Sequence, residues 1–160
     1  NQAILYFDHK FEIKLKHVKQ IENSCQRALL IRNTPKEKLS IQDEINAALS
    51  QKRYAEVMEQ TITWVNNKIE NEGYRYFNRI MNTGLIFYKD INMIQNLCDD
   101  VYETCWLIGQ PECQIIWGML SQNYEKNITR IHWSELDSVW EEPATRQGFD
   151  KTPFYGLLQN

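Results

Sequence analysis

Glycine and proline are scarce in this chain, at six and four of 160 residues. An all-β protein of this length needs more turn-formers, which argues against a sandwich or barrel. Cys25, Cys98, Cys105 and Cys113 form no Cys-x-x-Cys pair, so neither a zinc ribbon nor a thioredoxin motif is indicated. The chain has no His-Glu-x-x-His pattern, glycine-rich phosphate loop, Gly-x-Ser-x-Gly elbow or dinucleotide fingerprint. His9, His17 and His132 stand at no paired metal spacing and read as surface histidines. No apolar run reaches membrane-spanning length, and no signal-like stretch opens the sequence. A basic excess is also missing: the net charge is −3, which excludes a global nucleic-acid footprint.

What is present suits a single folded domain large enough to bury a core, with 42% hydrophobic and 24% charged residues. Aromatics reach 12%, including five Trp, and favour large packing or partner surfaces over disorder. Charge is uneven, with +4 over residues 1–53 and −7 over the remainder. The basic third is either a solvated helix face or a surface for an acidic partner or anionic lipid.

Helical spacing dominates. In Asn46–Val65 a helix ends at the polar turn Ser50-Gln51-Lys52-Arg53 between small residues Ala47, Ala48 and Ala55, and a second begins. Tyr54, Val57, Met58, Ile62 and Val65 then form an apolar stripe. Phe7, Phe11, Leu15, Val18, Ile21, Cys25 and Leu29 predict one long helix over 4–31, against a rival strand in the alternating residues 11–15. Thr34, Pro35 and Glu37 form a helix start, predicting a helix to about Leu49 that buries Leu39, Ile45 and Leu49. Further helices are predicted over 53–70 ending at Gly73, 74–88, 90–108 ending at Gly109, and 111–123, with a short one from Ser134 carrying Trp140.

Cys98 and Cys105 fall on the apolar stripe of the 90–108 helix and read as reduced, buried thiols. Seven residues apart on one helix, they lie about 10 Å from each other, too far for a disulfide. A Cys105–Cys113 bridge is the geometric alternative. Asp99, Asp100 and Glu103 cluster on the same helix, as a solvated face or a cation site, without the Glu-x-x-His pair of a di-iron bundle. Asn127-Ile128-Thr129 is a glycosylation sequon. Trp106, Trp117, Trp133 and Trp140 crowd the last third, as core or as interface anchors.

The two helical turns resemble repeat proteins. Asn46-Ala47 with Tyr54-Ala55-Glu56 is similar to a tetratricopeptide turn, and Leu107-Ile108-Gly109 with Ile115 and Met119 to a pentatricopeptide turn. The full tetratricopeptide consensus is not met, and the RNA-reading pentatricopeptide positions have no match. A narrower likeness, over Arg79–Thr83 and on to the 109–120 segment, resembles subunit Va of cytochrome c oxidase. That implies a small, all-helical, non-catalytic protein on the matrix side. The long first helix and the aromatic tail depart from that family.

These readings set the expectations. The fold is all-α: antiparallel hairpins of about six helices over 1–142, then an extended docking tail over 143–160. The tail holds Phe149, Phe154, Tyr155, Leu157 and Leu158, and burying each such side chain is worth roughly 1.5–3 kcal/mol where a surface exists to receive it. Partner contacts are assigned to Phe149, Phe154, Tyr155, Leu157, Trp133 and Trp140. The expected function is a non-catalytic interaction subunit, such as an accessory subunit of a mitochondrial respiratory complex, with protein partners, no nucleic acid and no cofactor or metal. A cleaved targeting segment, suggested by the Asn1 start, would place it in the mitochondrion, with the cytoplasm as alternative. A secreted or viral helical module with a groove for a partner helix is the second reading, and an enzyme with scattered catalytic residues is the third.

Overall fold

The computed structural model describes residues 2–8, 11–33, 40–76, 80–132 and 140–141. The chain is not all-α. Its centre is a four-stranded sheet in the order β1-β4-β3-β5, built from β1 (Ile4–Phe7), β3 (Leu29–Asn33), β4 (Met81–Tyr88) and β5 (Ile128–Ile131). β4 runs antiparallel to both β1 and β3, and β5 is parallel to β3, so the sheet is mixed. A separate ribbon pairs β2 (Phe11–Glu12) with β6 (Trp140–Glu141). With its flanking helices, this is an α/β fold.

The expected helices over 4–31 and 74–88 are therefore corrected. The first divides into β1, β2, the short helix α1 (Leu15–Ser24) and β3. Leu29, Leu30 and Ile31 are fully buried. A strand covered on both faces reads as a continuous apolar run, which over a few residues matches a buried helix equally well. Alternation decides which face each side chain meets: Leu29 and Ile31 join one cluster, Leu30 the other. β4 behaves alike, with Ile86 on the first side and Leu85 and Phe87 on the second.

Against the first face pack α5 (Gln95–Ile108) and α6 (Cys113–Leu120), through Leu97, Val101, Ile108, Ile116 and Leu120. α1 covers the other face with Ile21 and the following Cys25. A third cluster joins α2 (Ile41–Leu49) and α4 (Met58–Glu72) to α6 through Ile41, Ile45, Met58, Val65, Ile115 and Met119. The short α3 (Lys52–Ala55) lies between α2 and α4.

The helix ends follow local chemistry. Gly73 and Gly109 close α4 and α5 at φ 74° and 64°, where a residue with a Cβ is strained. Ser40 and Asp43 form the capping box of α2. The expected start at Thr34 to Glu37 lies outside the described residues. Asp90 caps nothing with its side chain; one 3-10 turn (Ile91–Met93) precedes α5. Pro111 does not open α6, which starts at Cys113 with Glu112 as N-cap and passes into a 3-10 segment, Ser121–Asn127. Trp140 is on a strand rather than a helix. Leu49, expected inside, is 46% exposed. The tail over 143–160 lies outside the described residues. Among the described residues, no helix is long and apolar enough to cross a membrane.

Candidate functional site

The pairing of β3 with β4 breaks at one place. Ile31 faces Ile86, but the next residue, Arg32, faces Asn82. Thr83, Gly84 and Leu85 thus have no partner on β3, while Leu85 stays paired with Phe7 of β1 and the Gly84 carbonyl accepts from the Asp8 N–H at 2.8 Å. The Asn82 side chain closes a local turn by accepting from the Gly84 N–H at 3.2 Å. Irregularities of this kind bend a strand and re-aim its side chains, and they recur beside functional sites.

This bulge forms one wall of a cleft of about 600 Å³. The end of β1 adds Tyr6 and Asp8, and β4 adds Asn82, Thr83 and Tyr88. Opposite stand both helical turns that the sequence singles out. The α2–α3 turn brings Gln51, Arg53 and Tyr54, and the α5–α6 turn brings Pro111, Glu112, Cys113 and Gln114. Glu44 reaches in from α2.

Glu112, Gln114, Glu44, Gln110 and Thr61 form a connected network, with shorter pairings around it. Glu112 accepts from the Gln114 N–H at 3.1 Å as the cap of α6, and its own N–H donates to Gln110 Oε1 at 2.9 Å. Gln110 is buried and donates from Nε2 to Thr61 Oγ1 at 2.8 Å, tying the turn to α4. Gln114 Nε2 donates to Glu44 Oε1 at 2.6 Å. Arg53 donates to Gln51 Oε1 at 2.9 Å and stacks on Tyr54, 4.3 Å from the ring centroid. Across the cleft the Tyr6 hydroxyl donates to Asp8 Oδ1 at 2.9 Å, and Cys113 Sγ meets Thr83 Oγ1 at 3.5 Å.

Burial sets the protonation behaviour. Removal from water, reinforced by the neighbouring Glu44 charge, pushes the Glu112 carboxyl up to about 7; the Gln114 N–H, the Tyr54 hydroxyl and Arg53 oppose it. Glu44 is raised for the same first reason, with the Gln114 amide opposing. Burial and the hydrogen bond to Asp8 push Tyr6 up to about 12. Burial also raises Cys113 to about 11, so it is a thiol rather than a thiolate nucleophile at neutral pH. A carboxyl that is about half protonated near neutrality can both give and take a proton, as a general acid or base must.

The described lining of the cleft contains none of the expected contact residues. Phe149, Phe154, Tyr155, Leu157 and Trp133 lie outside the described residues. Trp140 is described only as backbone, opposite Glu12. His17, expected on the surface, is 2% exposed, and its Nδ1 accepts from the Lys14 N–H at 3.1 Å. The four thiols are free; Cys25 is buried, and Cys98, Cys105 and Cys113 are half-buried at the edge of the α5–α6 core rather than fully enclosed. Among the described residues no three His, Cys, Asp or Glu side chains converge as a metal site requires.

A second unusual region is the outer face of α5. Tyr102, Trp106 and Leu107 are 71%, 81% and 81% exposed, beside the exposed carboxylates of Asp99, Asp100 and Glu103. No protein-family model, curated protein or solved structure matches this chain.

Proposed function

We propose that the cleft binds a small, uncharged, hydroxyl-bearing molecule and that Glu112 exchanges a proton with it, as the general acid or base of an enzyme. The observation that carries this reading is the pair of cleft carboxyls, buried Glu44 and half-buried Glu112, both hydrogen-bonded to Gln114 and close enough for the Glu44 charge to raise Glu112. Such a pair is costly to bury, and raised carboxyls of this kind cluster at functional sites. The lining selects the ligand class. Among the described lining residues, Asp8, Glu44 and Glu112 outnumber the one guanidinium of Arg53, which disfavours phosphates and carboxylates. The amides of Asn82, Gln51 and Gln114 and the hydroxyls of Tyr6, Tyr54 and Thr83 both donate and accept, as a hydroxyl does. A thermal-shift panel of monosaccharides and linear polyols, set against alkylamines and inorganic phosphate, tests it. Stabilisation by the hydroxyl compounds, lost in Glu112→Gln, is expected. Stabilisation by phosphate or amines alone, or by nothing in the panel, overturns the reading.

The second reading is a non-catalytic interaction subunit of a larger assembly, of which an accessory subunit of a mitochondrial respiratory complex is one example. The exposed aromatic face of α5 favours interaction with another protein. The likeness to an oxidase subunit draws on Met81–Thr83, where the chain is a strand, so it adds no weight to that example. Sedimentation of the protein with and without an extract fraction does not separate the two readings; the ligand panel does.

A further inference from the structure

We infer that the outer face of α5 is a docking surface for a basic, apolar-anchored helical segment of a partner protein. Asp99, Tyr102, Glu103, Trp106 and Leu107 recur at three- and four-residue steps, so they share one stripe of the helix. The inner stripe, Leu97, Val101 and Ile108, is already spent on the sheet. α5 thus has two apolar faces, and among the described residues only one of them is covered.

The occupant follows from charge. From Gln95 to Ile108 there is no lysine or arginine, and Asp99, Asp100 and Glu103 sit among the exposed aromatics. Asp99 accepts from Gln95, and among the described residues Asp100 and Glu103 have no salt bridge. A shallow groove of about 560 Å³ runs from this stripe to the end of α4, between Trp106, Tyr102 and Tyr74. The one cation among its described lining residues, Lys68, is bound to Glu72 at 2.7 Å and lies 5.6 Å from the Tyr74 ring centroid. The groove therefore offers aromatic walls and uncompensated negative charge. An acidic or uniformly apolar segment would leave these carboxylates unpaired. A segment alternating lysine or arginine with large apolar residues satisfies both features, in the helix-in-groove manner.

The test uses the 160-residue chain and three labelled helical peptides of equal length: one of lysine and leucine in amphipathic order, one with glutamate replacing lysine, and one with the first composition scrambled. Fluorescence anisotropy reads binding. The basic amphipathic peptide is expected to bind, and the other two at least about tenfold more weakly. The double variant Trp106→Ala/Leu107→Ala should weaken binding by roughly 30-fold, the scale of an aromatic anchor. Asp100→Asn/Glu103→Gln should weaken it severalfold and flatten its salt dependence. Glu59→Gln/Glu70→Gln, on the exposed side of α4, makes the same charge change elsewhere and should leave binding unchanged. Equal binding of all three peptides, or equal loss in the α4 control, overturns the proposal. So does self-association in sedimentation that Trp106→Ala/Leu107→Ala abolishes, because the occupant is then a second copy.

Discussion

The cleft and the outer face of α5 reverse the usual arrangement in opposite senses. In the cleft, carboxyls and amides are wholly or partly withdrawn from water; on α5, a tryptophan, a tyrosine and a leucine are left in it. An isolated exposed leucine needs no explanation, whereas a buried carboxyl or a contiguous apolar patch does. The two regions also differ in how they are held. The cleft carboxyls are held by neighbours, Glu112 and Glu44 by Gln114 and Asp8 by Tyr6. Among the described residues, a side chain of the α5 stripe, Asp99, takes its hydrogen bond from Gln95 of the same helix. Pre-arranged polar groups suit a small ligand and its chemistry; an unconstrained apolar stripe suits a surface that another chain completes.

The sharpest contrast lies within α5. Leu97 is fully buried against the sheet, with Ile31 and Ile86 in the same cluster. Leu97→Ala removes that packing and should cost roughly 2–5 kcal/mol, read by urea denaturation. A loss below about 1 kcal/mol would mean that α5 is not anchored through this stripe.

Next in size is the strut behind the cleft. Gln110 is 1% exposed and links Thr61 to the Glu112 backbone. Gln110→Ala strands the Glu112 N–H and takes one donor from the Thr61 hydroxyl, which keeps its bond to the Val57 carbonyl, and should cost roughly 1–3 kcal/mol. Because Glu112 loses its backbone support, ligand-induced stabilisation should fall with it. Unchanged stability would show that water replaces the amide without cost.

Glu112 itself gives a pH-dependent test. Its folded-state value, about 7, lies above the ordinary 4.5. Between those limits the folded protein holds more protons than the unfolded chain, so stability declines as pH rises through the window. The stabilising contribution is complete below about 4.5 and gone above about 7. Glu112→Gln removes this slope and should stabilise the protein at pH 8 by roughly 1–2 kcal/mol, while removing the proton exchange. A variant with the parent's pH slope would show that Glu112 is not the titrating group.

The sequence makes one of the two regions more legible than the other. Helical spacing located α2, α4, α5 and α6, and Gly73 and Gly109 marked two ends, because capping and amphipathicity are local properties. The Tyr102–Leu107 stripe could be read from spacing too, once Leu97 and Val101 are assigned inward. β3 and β4 were not legible as strands. Leu29-Leu30-Ile31 and Leu85-Ile86-Phe87 are covered on both faces, and buried strands of this length lack the alternation that separates strand from helix. The cleft was less legible still. Its groups come from the ends of β1 and β4, from α2 and from two turns, and only the fold brings them together. Two faint local signs exist: polar Asn82-Thr83-Gly84 interrupts an apolar run, and Glu112 follows directly on the turn proline. The two turns themselves stood out, but as repeat-like connections rather than as walls of one site.

The smallest expected effect completes the contrast on α5. Trp106 is 81% exposed, nine residues along the helix from Leu97. Truncating an exposed side chain opens no cavity, and alanine is the better helix former, so the local backbone gains slightly. Surface changes without a cap, a buried partner or strain usually fall within about 0.5 kcal/mol of zero. Trp106→Ala should therefore leave the urea midpoint nearly unchanged, although it removes the largest aromatic on the stripe. Natural selection for stability alone gives no reason to keep a tryptophan there. A loss above about 1 kcal/mol would place Trp106 in the intramolecular packing of α5 and take away the asymmetry between its two faces. A null result on stability, beside a large one on peptide binding, assigns the side chain to recognition.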